Sequence, residues 1–184
     1  MTKPLIDLPS TSQSPLQVHV NRNGFKESLH EVDIAVCDAD GSVILGMGDV
    51  ESIIFPRSAM KPLQSVALIE LLNSSSDIPE FSEAEVALIC ASHNGETLHT
   101  EAVTELLGKF DISIDELTCG AHWSMDQKTM ISQVRSMDEP HKVHNNCSGK
   151  HAGMLILSKL MNGTTSSYAT LTNIAQQQIL GTLE

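Results

Sequence analysis

A serine and a lysine stand three residues apart in Arg57-Ser58-Ala59-Met60-Lys61-Pro62. On a helix, positions i and i+3 share a face, so this spacing can set the Ser58 hydroxyl against the Lys61 amine. A serine hydroxyl attacks a carbonyl only after a nearby base takes its proton, and a lysine is that base only as the neutral amine. Desolvation or a neighbouring cation favours the neutral form. Arg57 is such a cation, or else the group that holds a substrate carboxylate. The same stretch also reads as an N-capping serine followed by a solvated lysine, and the pair alone does not decide between the two.

Two further polar clusters border apolar segments. Ala91-Ser92-His93-Asn94-Gly95-Glu96 offers a second hydroxyl and an imidazole. Its bland reading is a serine bonded back to its own helix and a solvated histidine. His144-Asn145-Asn146-Cys147-Ser148-Gly149-Lys150-His151 is denser. Cys147 and Lys150 repeat the i, i+3 spacing if a helix begins near Ser148. Three readings stand side by side. Cys147, His144 and His151 are zinc-ligand types. Cys147 is alternatively a thiol activated by a helix N-terminus and Lys150. The third is a polar helix start that binds an anion through free N–H groups.

The elements that must position these groups emerge from apolar periodicity. Residues 1–15, rich in Pro, Ser and Thr, read as a flexible leader, and residues 16–184 as one folded portion. Leu16 to Asn21 alternates as a half-buried strand does, and Asn23-Gly24 signals a turn. Glu31 to Cys37 and Ser42 to Gly48 read as strands around a turn at Asp38-Ala39-Asp40-Gly41, with Glu51 to Phe55 as a fourth. This is the pattern of an antiparallel meander. Helices are expected over Lys61–Leu72, from Ser82 through Ala91, over Thr97–Phe110, Met125–Ser136 and His151–Met161, and from Tyr168 onward. Pro62 implies an irregular start to the first of them. Ser82 with Glu85 forms a capping-box pattern. Asp138-Glu139-Pro140 marks a break. The last helical pattern reaches Glu184 with neither cap nor breaker, so the sequence reads as C-terminally truncated.

Composition narrows the function. The formal charge of −12 argues against nucleic acid and anionic membrane as partners. Aromatic residues make up 3% of the chain, too few for a base-stacking surface. The leader lacks the basic start and apolar core of a signal peptide. The apolar run Met154 to Leu157 is far too short to span a bilayer. Cys37, Cys90, Cys119 and Cys147 lie far apart and read as reduced thiols of a cytoplasmic protein.

Taken together, Arg57-Ser58-Ala59-Met60-Lys61-Pro62, Ala91-Ser92-His93-Asn94-Gly95-Glu96, Cys119-Gly120-x-His122 and Asn145-Asn146-Cys147-Ser148-Gly149-Lys150-His151-Ala152-Gly153-Met154 resemble the asparaginase II family, the rhizobial-type L-asparaginases. Arg22-Asn23-Gly24 with Glu27-Ser28-x-His30 fits the same pattern, and the resemblance runs from Leu16 on. It implies an α+β fold like that of serine β-lactamases, with an antiparallel sheet flanked by helices. It implies hydrolysis of the L-asparagine side-chain amide to L-aspartate and ammonia by two serine–lysine pairs. Ser58 and Lys61 map onto the first pair, and Ser92 onto the serine of the second. Arg57 and His93 are expected to bind the substrate. The resemblance also implies a zinc site whose first two ligands map onto Cys147 and Lys150, and a homodimer. The second lysine and the third zinc ligand, a cysteine, are expected beyond Glu184, so the chain by itself is expected to be inactive.

Two other functions compete. A Ser-x-x-Lys serine also serves β-lactamases and penicillin-recognising peptidases. Against these, neither a Ser-Asp-Asn nor a Lys-Thr-Gly triplet occurs in the chain. The other is a non-catalytic fragment that binds a metal or a partner chain.

Overall fold

Two consecutive residues with positive φ, Asn23 at 50° and Gly24 at 83°, fold the chain back on itself. A tight hairpin needs that left-handed backbone at both central turn residues, and Asn-Gly is the pair that adopts it at least cost. The computed structural model describes residues 11–136 and 139–184. In it the turn joins β2 (Leu16–Arg22) to β3 (Phe25–Val32), with Arg22 opposite Phe25 and Leu16 opposite Val32. The strand expected over Glu31 to Cys37 is therefore two strands. β3 ends at Val32, and β4 (Ile34–Cys37) belongs to a second sheet. Asp33 lies between them and accepts a hydrogen bond from the Asp49 main-chain N–H at 3.1 Å.

The second sheet has the order β1 (Thr11–Ser12), β5 (Val43–Met47), β4. β4 and β5 pair antiparallel around a turn in which the Asp38 carboxylate accepts from the main-chain N–H groups of Asp40 and Ser42. β1 (Thr11–Ser12), within the stretch read as leader, pairs parallel with Gly46 and Met47. The first ten residues of that stretch lie outside the described residues. Glu51 to Phe55 is not a strand. Ile53, Ile54 and Phe55 are 99%, 71% and 90% exposed, and no ladder partner lies beside them among the described residues. An apolar run without a partner has nothing to bond its main chain to.

The chain divides into two compact units, Met1–Phe55 and Pro56–Glu184. The second is helical and built around α5 (Ser148–Leu160). Ala152, Leu155 and Ile156 of α5 are 0% exposed, and its Ser158 is 0% exposed as well. A helix with so long a buried stretch, Ala152 to Ser158, belongs in an interior. α1 (Lys61–Asn73), α2 (Glu83–Cys90), α3 (Thr97–Gly108) and α6 (Ile174–Leu183) all pack on it. α4 (Gln127–Ser136) comes after the long loop that leaves α3. The mixed α+β class expected from the sequence holds, as do the helices, with shifted ends. α5 starts at Ser148 rather than His151. α6 starts at Ile174, because Asn173 caps it by accepting from the Ala175 N–H at 2.9 Å. Tyr168, expected to open that helix, is instead a core residue at 0% exposure. The break expected at Asp138 begins outside the described residues. Among the described residues no helix is long and apolar enough to cross a membrane.

Two local devices fix where α1 and α2 point. A 3-10 turn over Arg57–Met60 leads into α1, and Pro62 sits near its N-terminus, where a missing N–H costs nothing. At α2 the expected capping box is complete: Ser82 accepts from the Glu85 N–H, and the Glu85 carboxylate accepts from Ser82. Glu85 also pairs with Lys109 beyond the end of α3. Burial raises the Glu85 carboxyl, but Lys109 and Ser82 outweigh it and hold the group below its usual value of 4.5. The folded state thus favours the carboxylate, and its contribution is present above about 4.5 and lost as pH falls through the lower folded value. Glu85→Gln is expected to lower unfolding free energy by about 1 kcal/mol at neutral pH, with the difference shrinking in acid. Urea denaturation at neutral pH and below pH 4.5 checks both halves.

Candidate active site

Lys61 opens α1 and is 2% exposed, although its neighbours Arg57 and Ser58 lie at the surface. Its amine reaches inward to the end of α2. There Nζ donates to the Ala91 carbonyl at 2.8 Å and to the Ser92 hydroxyl at 2.6 Å. The Ser92 hydroxyl in turn donates to Ser58 Oγ at 3.1 Å. The contact expected directly between Ser58 and Lys61 is replaced by this chain of three: no hydrogen bond joins Ser58 to Lys61. The tight winding of the 3-10 turn leaves Ser58 outside while the long lysine stem passes into the interior. No carboxylate pairs with Lys61 among the described residues.

Ser58 is presented by a strained backbone. Arg57 has φ 50°, the left-handed region that a side chain with a Cβ enters only at a cost. The Arg57 side chain is exposed and has no acidic partner among the described residues, so its guanidinium is open to a carboxylate from outside.

Ser92 is held by the loop it opens. α2 ends at Cys90, and the chain leaves in extended conformation through Ala91. The His93 main-chain N–H donates to the Asn146 carbonyl at 3.1 Å. Gly95 turns with φ 73°, and a Cβ there would lie 2.5 Å from the His144 carbonyl oxygen. Only glycine passes so close to another backbone in that conformation. The loop thus lies directly against the segment that leads into α5. On α5 itself, a Cβ on Gly149 would collide with the Leu88 carbonyl, so α2 and α5 approach almost backbone to backbone.

His93, expected at the substrate, is 5% exposed, and both its ring nitrogens are occupied. Nδ1 accepts from the Gly95 N–H at 3.0 Å, which leaves Nε2 as the donor to Ser148 Oγ at 2.9 Å. Ser148 directs its own proton to the Val143 carbonyl at 2.8 Å. The ring stacks on His99 at 5.1 Å between centroids. Burial, assisted by His99, Lys61, His122 and His144, brings the imidazole down from 6.5 to about 4.

Cys147 is the N-cap residue of α5, and Lys150 lies in its first turn. No hydrogen bond engages the thiol or the amine among the described residues. The alternative metal set with His144 and His151 does not form. His151 Nδ1 shares a hydrogen bond with the buried Tyr168 hydroxyl at 2.7 Å, and no group of three or more His, Cys, Asp or Glu among the described residues is arranged to hold an ion. Cys147 and Lys150 lie on one turn, with the thiol and the amine as two candidate donors. Cys119, in the nearby loop, is buried, and burial pushes its thiol up, toward the protonated, unreactive form.

The structure thus joins Ser58, Lys61 and Ser92 and sets Arg57 beside them. Cys147 and Lys150 have no direct hydrogen bond to that group and connect to it through His93 and Ser148. Ser148, Asn146 and His122, which accepts from the Asn146 N–H at 3.1 Å, are site-building residues that spacing did not single out. Gly95 was the available signal: a glycine after Ser-His-Asn demands a reason, and the reason is the His144 backbone.

A family model described as L-asparaginase II matches residues 18–184. No curated protein matches the chain.

The buried, neutral His93 makes stability depend on pH. In the unfolded chain it takes a proton near its ordinary value of 6.5, and in the folded chain only near 4, so the unfolded state binds more protons between these values. Its contribution is complete above about 6.5 and is lost as pH falls toward about 4, on the order of 3 kcal/mol in all. Urea midpoints measured at intervals from neutral pH to pH 4 are expected to fall in wild type and to flatten in His93→Gln.

Proposed function

We propose, from the premise that this chain belongs to the L-asparaginase II family, that its asparaginase-type hydrolysis runs through Ser58, Ser92 and Lys61 on the side-chain amide of L-asparagine. The observation that carries this reading is the unbroken contact from the Lys61 amine through the Ser92 hydroxyl to Ser58. Arg57, whose guanidinium has no acidic partner among the described residues, receives the α-carboxylate of the substrate. The Ser58 oxygen attacks the amide carbon. Its proton passes to Ser92 while the Ser92 proton passes to the neutral Lys61 amine. Main-chain N–H groups at the mouth of the turn stabilise the oxyanion. The relay then runs backwards: Lys61 returns its proton through Ser92 to the departing nitrogen, and ammonia leaves. Water, activated by the same relay, cleaves the resulting ester and frees aspartate and Ser58.

The hydrogen bonds run from Lys61 to Ser92 to Ser58, opposite to the proton movement that attack by Ser58 needs, so the relay depends on both reversing. With Lys61 as donor, protons point from lysine to Ser92 to Ser58; with Lys61 neutral, the same contacts carry a proton from Ser58 to Lys61. A second reading has Ser92 as the nucleophile, favoured by its 2.6 Å contact with the base. Identifying the serine that retains an acyl or phosphonyl label separates the two.

A cytoplasmic setting belongs to the same proposal and rests on the four widely spaced thiols; the layout of serine β-lactamases and a homodimer rest on the family resemblance. So does zinc at Cys147 and Lys150. Bound there, zinc would supply positive charge near the α5 N-terminus, and no step of the relay passes through it. Lysine binds zinc only as the neutral amine, which the metal itself enforces.

In the full-length protein, Ser58→Ala and Lys61→Ala are each expected to lower kcat/KM for ammonia release from asparagine by about a thousandfold or more. Activity retained by either variant would remove that residue from the mechanism. Zinc counted per chain is expected to fall in Cys147→Ser relative to wild type, and an unchanged count would move the metal elsewhere.

A further inference from the structure

We propose that His93 is a positioning residue: through its ring bond to Ser148 it sets the Ser92 hydroxyl between Lys61 and Ser58, and it ties that setting to the first turn of α5. The proposal rests on the serine–lysine reading of the site and deepens it. Three observations carry it. Both ring nitrogens are used inside the protein, by the Gly95 N–H at 3.0 Å and by Ser148 at 2.9 Å, so the ring has no donor or acceptor left for a substrate. The residue is 5% exposed and Ser148 0%, so the bond between them is buried. The His93 main chain is anchored to the same segment through Asn146 at 3.1 Å. A residue held by ring and backbone at once has little freedom to rotate, and neither has the serine before it.

The geometry needs such an anchor. α2 stops at Cys90, so Ser92 lies on extended chain with no helical ladder to hold it. Its hydroxyl must nevertheless remain within 2.6 Å of Lys61 and 3.1 Å of Ser58. Ser148 is a firm partner because it lies in α5, the most buried helix of the unit, and its own hydroxyl is fixed by the Val143 carbonyl at 2.8 Å. Ser148 also lies between Cys147 and Lys150 in sequence. Whatever shifts the first turn of α5 therefore shifts Ser92 through a buried polar chain, with every hydrogen accounted for.

The test is steady-state kinetics on the full-length protein, normalised to folded chain. His93→Ala and Ser148→Ala are each expected to lower kcat about ten- to a hundredfold, with KM within about twofold of wild type because Arg57 is untouched. The double variant is expected to be no slower than the slower single one, since both break the same link. His93→Gln, whose amide can donate to Ser148, is expected to recover most of kcat. A rise in KM with kcat intact would make His93 a substrate contact and overturn the proposal. Unchanged kcat per folded chain, or losses that multiply in the double variant, would overturn it too. The rate of serine labelling by a fluorophosphonate should show the same ranking without any need for substrate recognition. A wild type that reacts with this probe but releases no ammonia from asparagine would sink the asparagine reading alone and leave the labelling rates to judge His93.

Discussion

A lysine amine buried among neutral oxygens is the constraint on which the helical unit depends. Lys61 is 2% exposed, and its partners are one main-chain carbonyl and one hydroxyl. An interior polar group left without partners costs about 1–3 kcal/mol, so the fold must bring both oxygens to it. They come from the far end of a different helix. α2 has to end where it does, with the Ala91 carbonyl turned toward α1 and Ser92 just beyond. The capping box at Ser82 fixes the other end of α2, and so its direction and its reach.

The second constraint is the closeness of α2 and α5. A Cβ on Gly149 would collide with the Leu88 carbonyl, and one on Gly153 would press tightly on the Ile89 side chain. That approach carries the start of α5 to the loop after α2, where His93 and Ser148 bond. One consequence is that the serine–lysine group and the Cys147–Lys150 turn form one mechanical assembly, although no hydrogen bond joins them directly. Another is that the strain at Arg57 is sustainable: α1 and its turn are locked from within by Lys61, so the left-handed residue cannot relax without displacing a buried amine.

In the serine–lysine chemistry proposed, a base that touches its nucleophile directly and one that acts through a second hydroxyl make different demands. The direct pair tolerates movement elsewhere. The bridged arrangement depends on a third residue staying in place, which is why the loop after α2 is bonded at Ser92, His93 and Gly95 in succession. Asn94 continues this, its carbonyl accepting from Ser124 Oγ at 2.7 Å and from the Met125 N–H at 2.8 Å. Two of these contacts, the His93 N–H to the Asn146 carbonyl and the Met125 N–H to the Asn94 carbonyl, are main chain to main chain.

Local signals in the sequence determined what local physics governs. Asn23-Gly24 marked its hairpin, Ser82 with Glu85 marked the start of α2, and Pro62 marked an irregular start to α1. Ser58, Lys61, Ser92, Cys147 and Lys150 were legible as chemistry-bearing types at helix ends, and their order carried the family resemblance. Errors arose where an outcome depends on a distant partner. Glu51 to Phe55 has the composition of a strand, but strands exist only by pairing, and no neighbour among the described residues pairs with it. Tyr168 has helical surroundings, but its hydroxyl answers Thr118 and His151, which belong to other elements. The i, i+3 rule placed Ser58 against Lys61, and only the packing of α1 against α2 decided that Ser92 stands between them. The role of His93 was hidden for the same reason. Its partner is 55 residues away along the chain, and a hydrogen bond is a matter of a few ångströms in space, on which separation in sequence is silent.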